Sequence, residues 1–172
     1  MDFLVAERYP SGPNSIHMHM PAIVGFERPG PAELNDLFVL LGWGQASLDV
    51  LRSSIEAYTA TICARTPGGL LVGYASVFSD RSLTTMFGEF VVHPQFQRQG
   101  LGGAMMRAVE KEFPSAPIYV KALGAAREFY SALGFRTSSV PITSMFKRPS
   151  DGGPCDVSAP PAPRRDGCRY DS

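Results

Sequence analysis

Apolar positions along this chain change period several times, and each change marks an element. Ile23, Val24 and Phe26 make a short apolar run within 21–27 that predicts a first strand. After Pro29-Gly30-Pro31, the residues Leu34, Leu37, Phe38 and Leu41 recur at helical spacing until Gly42 closes the pattern. Ser47 offers an N-cap to a second helix carried by Leu48, Leu51, Ile55 and Tyr58. Residues 59–65 and 70–78 read as strands joined through Pro67-Gly68-Gly69, a hairpin signal. A turn over 79–82 leads to the β-branched and aromatic run Phe87 to Val92, which His93-Pro94 ends because proline has no amide for a ladder.

A long helical stripe then follows over 100–113, with Leu101, Met105, Ala108 and Val109 on one side and Arg107, Glu110, Lys111 and Glu112 left to water. Pro114 stops it, and 118–122 predicts another strand. The segment 87–122 therefore forms a βαβ unit, with a glycine-rich loop at the C-terminal end of its first strand, where ligands of such units sit. Ala126, Phe129, Tyr130 and Leu133 share a face of a last helix, 125–133, capped by Gly134. A strand from Phe135 and another near 143–147 complete the expected order.

Two stretches carry no such period. Residues 1–20 hold Pro10, Gly12, Pro13 and Asn14 and read as a flexible extension. Residues 149–172 are rich in proline and glycine and nearly devoid of large apolar side chains, so they read as a disordered tail. One domain over 21–148 is what remains.

Composition narrows the function classes. The 172 residues are 44% hydrophobic and 19% charged, ordinary for one globular domain. Lys plus Arg equals Asp plus Glu at 16 each, which removes the basic surplus of a nucleic-acid or anionic-membrane binder. No apolar run approaches the ~20 residues of a membrane span, and Asp2 and Glu7 make the N-terminus a poor signal peptide, so a cytoplasmic location is expected. Cys63, Cys155 and Cys168 lack metal-ligand spacing, and Cys63 falls inside an expected strand as a small core residue. His17 and His19 have no nearby carboxylate or cysteine partner and belong to the extension, so no metal site is expected.

The chemistry-bearing stretch is FGEFVVHPQFQRQGLGG, residues 87–103. Glycines at the mouth of a helix leave backbone N–H groups unpaired and unobstructed, and the helix dipole adds positive potential at the same place; phosphate is the natural ligand. A dinucleotide fingerprint would need glycine where Met105 stands, and a P-loop would need Gly-Lys-Ser/Thr, which does not occur. What remains is Gln97-Arg98-Gln99-Gly100-Leu101-Gly102 after Val-His-Pro. This resembles the acetyl-CoA loop of the GNAT family of N-acetyltransferases. Phe129-Tyr130-Ser131-Ala132-Leu133-Gly134-Phe135 resembles that family's F-Y-x-x-L-G-F signature, and the likeness runs over about 23–147.

The resemblance implies an α/β (α+β) GNAT fold, a mixed twisted central sheet of six to seven strands with helices on both faces. It implies acetyl-CoA as donor and a primary amine of a small molecule, or of a peptide or protein, as acceptor. No nucleic-acid or membrane partner is expected, and the protein would act as monomer or homodimer. Amides of Phe90, Val91 and Val92 would hold the pantetheine arm, Arg98, Gln99, Gly100, Leu101, Gly102 and Gly103 the pyrophosphate, with Phe129 beside them. The oxyanion would be served by the amide of Val91 or Val92.

Alternation along the strand places Glu89 with Phe87 and Val91 on one face, and Gly88, Phe90 and Val92 on the other. A carboxylate in a strand apolar on both faces is a candidate general base; the competing reading pairs it with an arginine or puts it at a frayed strand start. The resemblance implies Tyr130, the tyrosine of the F-Y-x-x-L-G-F signature, as the acid for the leaving thiolate, against a packed helix tyrosine. The resemblance nominates Trp43 and Phe146 for the acceptor pocket, with Phe38 and Tyr58 as further walls. Many members carry asparagine where this chain has Leu123. The second function reading is a non-catalytic acyl-CoA-binding or regulatory module of the same fold, and a third is an interaction protein acting through its tail.

Overall fold

Four antiparallel strands and one parallel strand build the sheet, and its two faces are covered by different helices. The computed structural model describes residues 22–122, 124 and 126–140. In chain order these form β1 (Ile23–Phe26), α1 (Pro31–Leu40), α2 (Leu48–Ala57), β2 (Ala60–Arg65), β3 (Leu71–Ser79), β4 (Thr85–Val92), a 3-10 turn (Pro94–Phe96), α3 (Leu101–Glu112), β5 (Ile118–Tyr119) and α4 (Ala126–Ala132). The strands lie side by side in the order β1-β2-β3-β4-β5. β1 to β4 pair antiparallel, and β5 joins β4 in parallel, as a βαβ unit requires.

The described residues form five strands, fewer than the six to seven expected. Residues 135–140 form no strand; Ser138 Oγ accepts the Val140 amide, a local bond that competes with a ladder. The strand expected near 143–147 lies outside the described residues, as do the extension 1–20, the tail 149–172, Leu123 and Phe146. β5 pairs only at Thr85↔Ile118 and Met86↔Tyr119 and ends at Tyr119 rather than Ala122. Beyond Met86, β4 and β5 part, which leaves the β4 edge opposite β3 without a strand partner among the described residues.

One face of the sheet carries Ile62, Val72, Ala75, Val77 and Phe87 against Leu101, Met105, Met106 and Val109 of α3 and Tyr130 of α4. Met105, Met106 and Val109 are fully buried, and each such side chain contributes about 1.5–3 kcal/mol to folding. The other face packs Cys63, Tyr74 and Val91 under Leu34, Leu37 and Phe38 of α1 and Leu51 and Ile55 of α2.

Polar contacts lock the near edge. Glu33 accepts from the Gly30 amide at the start of α1 and also receives both terminal nitrogens of Arg65, at 2.7 and 2.6 Å. Arg65 Nε reaches Glu27 at 2.5 Å. The N-terminus of α1, the chain after β1 and the end of β2 are thus tied through one guanidinium, whose planar fork matches a carboxylate at two points.

Candidate active site

The site is built around an irregularity in β4. Ala75 pairs with Phe90 and Val77 with Phe87, so Ser76 alone faces the two residues Gly88 and Glu89. This is a β-bulge, and the extra residue resets which side of the sheet each side chain takes. The alternation expected from the sequence is corrected here: Phe87 lies on the α3 face, with its ring 5.3 Å from Phe90, while Glu89 and Val91 face α1 and α2. A Cβ on Gly88 would meet Ser76 Oγ at 2.5 Å and the Tyr58 ring at 3.0 Å, so Gly88 too faces the Glu89 side. Only glycine lets the bulge close against those two side chains.

Glu89 is 9% exposed and sits within the strand, not at a frayed end, and among the described residues no arginine pairs with it. Tyr58 donates its hydroxyl to the carboxylate, 2.8 Å from Oε2 and 3.0 Å from Oε1. Ser76 Oγ donates to Oε2 and in turn accepts the Glu89 amide at 2.8 Å. A buried carboxylate is tolerated when hydrogen bonds replace its water, and these hydroxyls do so without a countercharge. Burial and the neighbouring Glu89 charge push the Tyr58 phenol above its usual range, so it remains a donor. The roles of Ser76 and Tyr58 as partners of Glu89 were not legible in the sequence, since the bulge that brings them together is a property of strand register.

Glu89 opens into a cleft lined by Leu34, Phe38, Leu51, Ser54, Ile55, Tyr58 and Tyr74. Phe38 and Tyr58, expected as walls, are there. Trp43 packs on Phe38 with ring centroids 5.1 Å apart and is not itself among the residues lining the cleft. Tyr74, which sequence reasoning missed, is 1% exposed, and its hydroxyl has no hydrogen-bond partner among the described residues.

At the end of β4 the backbone turns into the glycine loop. His93 Nδ1 accepts the Gln95 amide, and Gln97 Nε2 donates to the Val92 carbonyl. Arg98 and Gly100 both take positive φ, 59° and 80°, with Gln99 between them. Alternating handedness of this kind turns successive amides toward one concavity, a form that suits anions. None of the amides from Arg98 to Gly103 has an acceptor among the described residues; the first helical bond at this end is Ala104 N to Gly100 O. The loop is therefore a row of free donors at a helix mouth, which fits a phosphate group.

Gly102 has a further role. A Cβ there would lie 3.1 Å from the Phe129 ring and 3.6 Å from Phe90, so its bare backbone is where α4 docks on α3. Phe129 in turn stacks on Phe90, with centroids at 5.8 Å. His93 N donates to Val72 O on β3, and alternation gives Val91 N the same direction. The amides of Phe90 and Val92 consequently face the open β4 edge. Of the two amides the sequence left open for an oxyanion, only that of Val92 points that way.

Tyr130 stands on the face opposite Glu89, among Phe90, Phe129 and Phe135. Burial pushes its phenol up to about 12, and its hydroxyl makes no hydrogen bond among the described residues. Cys63 is buried and its thiol is pushed up to about 12, by desolvation first and by the Glu27 charge next, so it is no nucleophile at neutral pH. Among the described residues no group of His, Cys, Asp or Glu side chains is placed to hold a metal ion, and no helix is long and apolar enough to cross a membrane.

Residues 43–145, more than half the chain, match the family model of the acetyltransferase (GNAT) domain. The "Uncharacterized N-acetyltransferase ycf52" of Gracilaria tenuistipitata var. liui is 29% identical over 123 residues, covering 68% of each chain. Among solved structures, a GNAT-family acetyltransferase from Streptococcus pneumoniae TIGR4 is similar with a TM-score of 0.59 and 18% identity, over 73% of this chain and 100% of that one. The GNAT family N-acetyltransferase YhbS from Escherichia coli, in complex with CoA, is similar with a TM-score of 0.53 and 16% identity, over 74% of this chain and 73% of that one.

Proposed function

The chain belongs to the GNAT acetyltransferase family, and from that premise we propose that it transfers the acetyl group of acetyl-CoA to a primary amine, with Glu89 as base. The observation that carries this reading is one strand with two assets. β4 holds a buried, hydrogen-bonded carboxylate facing a cleft, and it ends in a row of unpaired amides. An acyl thioester supplies the activated carbonyl; the residues supply position and proton handling. The amides of residues 98–103 would bind the pyrophosphate, and the similar YhbS structure is a complex with CoA. The outward amides of Phe90 and Val92 would take the pantetheine arm like an added strand, and Val92 N is the donor for the developing oxyanion.

In the transfer, Glu89 takes a proton from the acceptor ammonium and the freed nitrogen attacks the carbonyl; the C–N bond forms, the C–S bond breaks, and the surplus proton on the nitrogen passes to the departing sulfur, leaving an amide and the free CoA thiol. Tyr130 offers its hydroxyl to the departing sulfur. A phenol near 12 is a weaker acid than a free thiol with reference pKa near ~8.5, so Tyr130 acts mainly by donating a hydrogen bond to the thiolate. The acceptor is a small-molecule amine on this reading, because the described cleft beside Glu89 is narrow and largely apolar.

The test is release of free CoA thiol from acetyl-CoA across a panel of amines, with CoA binding followed by calorimetry. Amine-dependent turnover supports the reading. Tight CoA binding with no turnover on any amine would leave an acyl-CoA-binding module in its place.

A further inference from the structure

Tyr74 is a buried phenol whose hydroxyl has no hydrogen-bond partner among the described residues. Nearly all buried polar groups find a partner, so an unsatisfied hydroxyl lining a cleft is a candidate contact for a ligand. Its ring is held from the side by Phe38, edge-on at 6.2 Å, and it lines the same cleft as Glu89. Burial first and the Glu89 charge next push its phenol up, the nearby Ser76 hydroxyl working the other way without reaching hydrogen-bond geometry, and the phenol stays neutral.

The hydrogen bonds of Glu89 are unevenly shared. Ser76 Oγ gives its one proton to Oε2 and accepts the Glu89 amide on a lone pair. Tyr58 has one proton to share between both oxygens and lies nearer Oε2. Oε1 is therefore the oxygen with capacity left.

We infer that Tyr74 Oη and Glu89 Oε1 form a two-point site for the acceptor nitrogen, and that the acceptor is a primary alkylamine with a single positive charge and apolar carbons next to the nitrogen. This rests on the reading of Glu89 as base. An ammonium carries three N–H donors. One meets Glu89 and another meets Tyr74; when Glu89 takes its proton, R–NH3+ and carboxylate become R–NH2 and carboxylic acid, and the N–H still held by Tyr74 fixes the direction of the new lone pair. A tertiary ammonium has too few donors for this.

The walls select the rest of the molecule. Glu89 is the one charged side chain lining the cleft, and Leu34, Phe38, Leu51 and Ile55 are apolar. A second ammonium on the acceptor would be desolvated there without a partner, and an α-carboxylate would sit beside Glu89 and be repelled.

The probes are n-butylamine, 1,4-diaminobutane and 2-aminopentanoic acid, each with acetyl-CoA. n-Butylamine is expected to be acetylated with a kcat/KM at least tenfold above the other two. Tyr74→Phe keeps the ring and is expected to raise KM for n-butylamine about tenfold, leaving KM for acetyl-CoA and the melting temperature unchanged. Wild-type amine KM in Tyr74→Phe overturns the inference, as does a diamine or amino acid that matches n-butylamine, or an n-butylamine that is not acetylated. Glu89→Gln run in parallel separates the two levels: if it keeps full turnover, the base assignment fails, whereas if it loses turnover while Tyr74→Phe keeps its amine KM, only the two-point site fails.

Discussion

Glu89 shows how much a carboxylate depends on its neighbours. Tyr58 and Ser76 hold it without neutralising it, so it remains able to accept a proton while its orientation is fixed. Glu89→Gln preserves the size and removes that capacity. Turnover at neutral pH should fall on the order of 10²-fold, and the loss should shrink at high pH, where more amine arrives deprotonated. Steady-state rates from pH 7 to 10 test this; equal rates at pH 7 would return Glu89 to a structural part. Tyr130→Phe removes a hydroxyl that makes no hydrogen bond among the described residues, so the melting temperature should hold. Its kcat should drop by about 10²-fold, the low end for general acids, because the raised phenol pKa makes a poor proton donor. An acyl donor with a more acidic leaving thiol should recover part of the loss, and wild-type kcat where chemistry limits the rate would refute the role.

At the scale of elements, the βαβ unit does two jobs at one junction. β4 ends where α3 begins, and the same glycines that expose amides also admit α4. Gly102 is the sharpest case: the expectation from sequence was that a side chain there would meet the pyrophosphate, yet the nearest atoms are those of Phe129. Gly102→Val should push the Phe129 ring away, loosen α4 and lower the melting temperature by the few degrees that overpacking of about 1–3 kcal/mol brings. CoA affinity should fall along with it, through α4 and Tyr130 as well as through the loop. Calorimetry and thermal unfolding on the same variant check this, and a weakened CoA affinity with unchanged melting temperature would favour direct contact instead.

Across the whole molecule, the Arg65 clasp joins parts of the near edge that are distant in sequence. The hydrogen bonds from Arg65 hold the Glu33 carboxyl below its usual range, although its desolvation works the other way. A carboxyl depressed in the folded state stabilises the fold above its unfolded pKa of about 4.3, and that contribution is lost as pH falls below it. Arg65→Met should therefore lower the melting temperature at pH 6 and flatten its further decline between pH 5 and 3. Asp80, also depressed by the amides of Ser82, Thr84 and Leu83, stays in the variant and accounts for the slope that remains. An unchanged acid limb in Arg65→Met would show that the clasp contributes nothing to folding.

Element order from β1 to α4, the hairpin at Pro67-Gly68-Gly69, the stripe of α3 and the phosphate-type loop were all legible in the residues, because each depends on local period, caps and turn chemistry. The family likeness likewise rested on contiguous motifs. Tertiary structure alone decided which way side chains face after the bulge, since one extra residue in β4 is defined only by its pairing with β3. That is why Phe87 changed sides and why Ser76 and Tyr74 of β3 and Tyr58 at the end of α2 gather around Glu89. It also decided that β5 stops at Tyr119, for strand length depends on whether a partner continues alongside. A sequence states what each residue can do; the ladder decides where it does it.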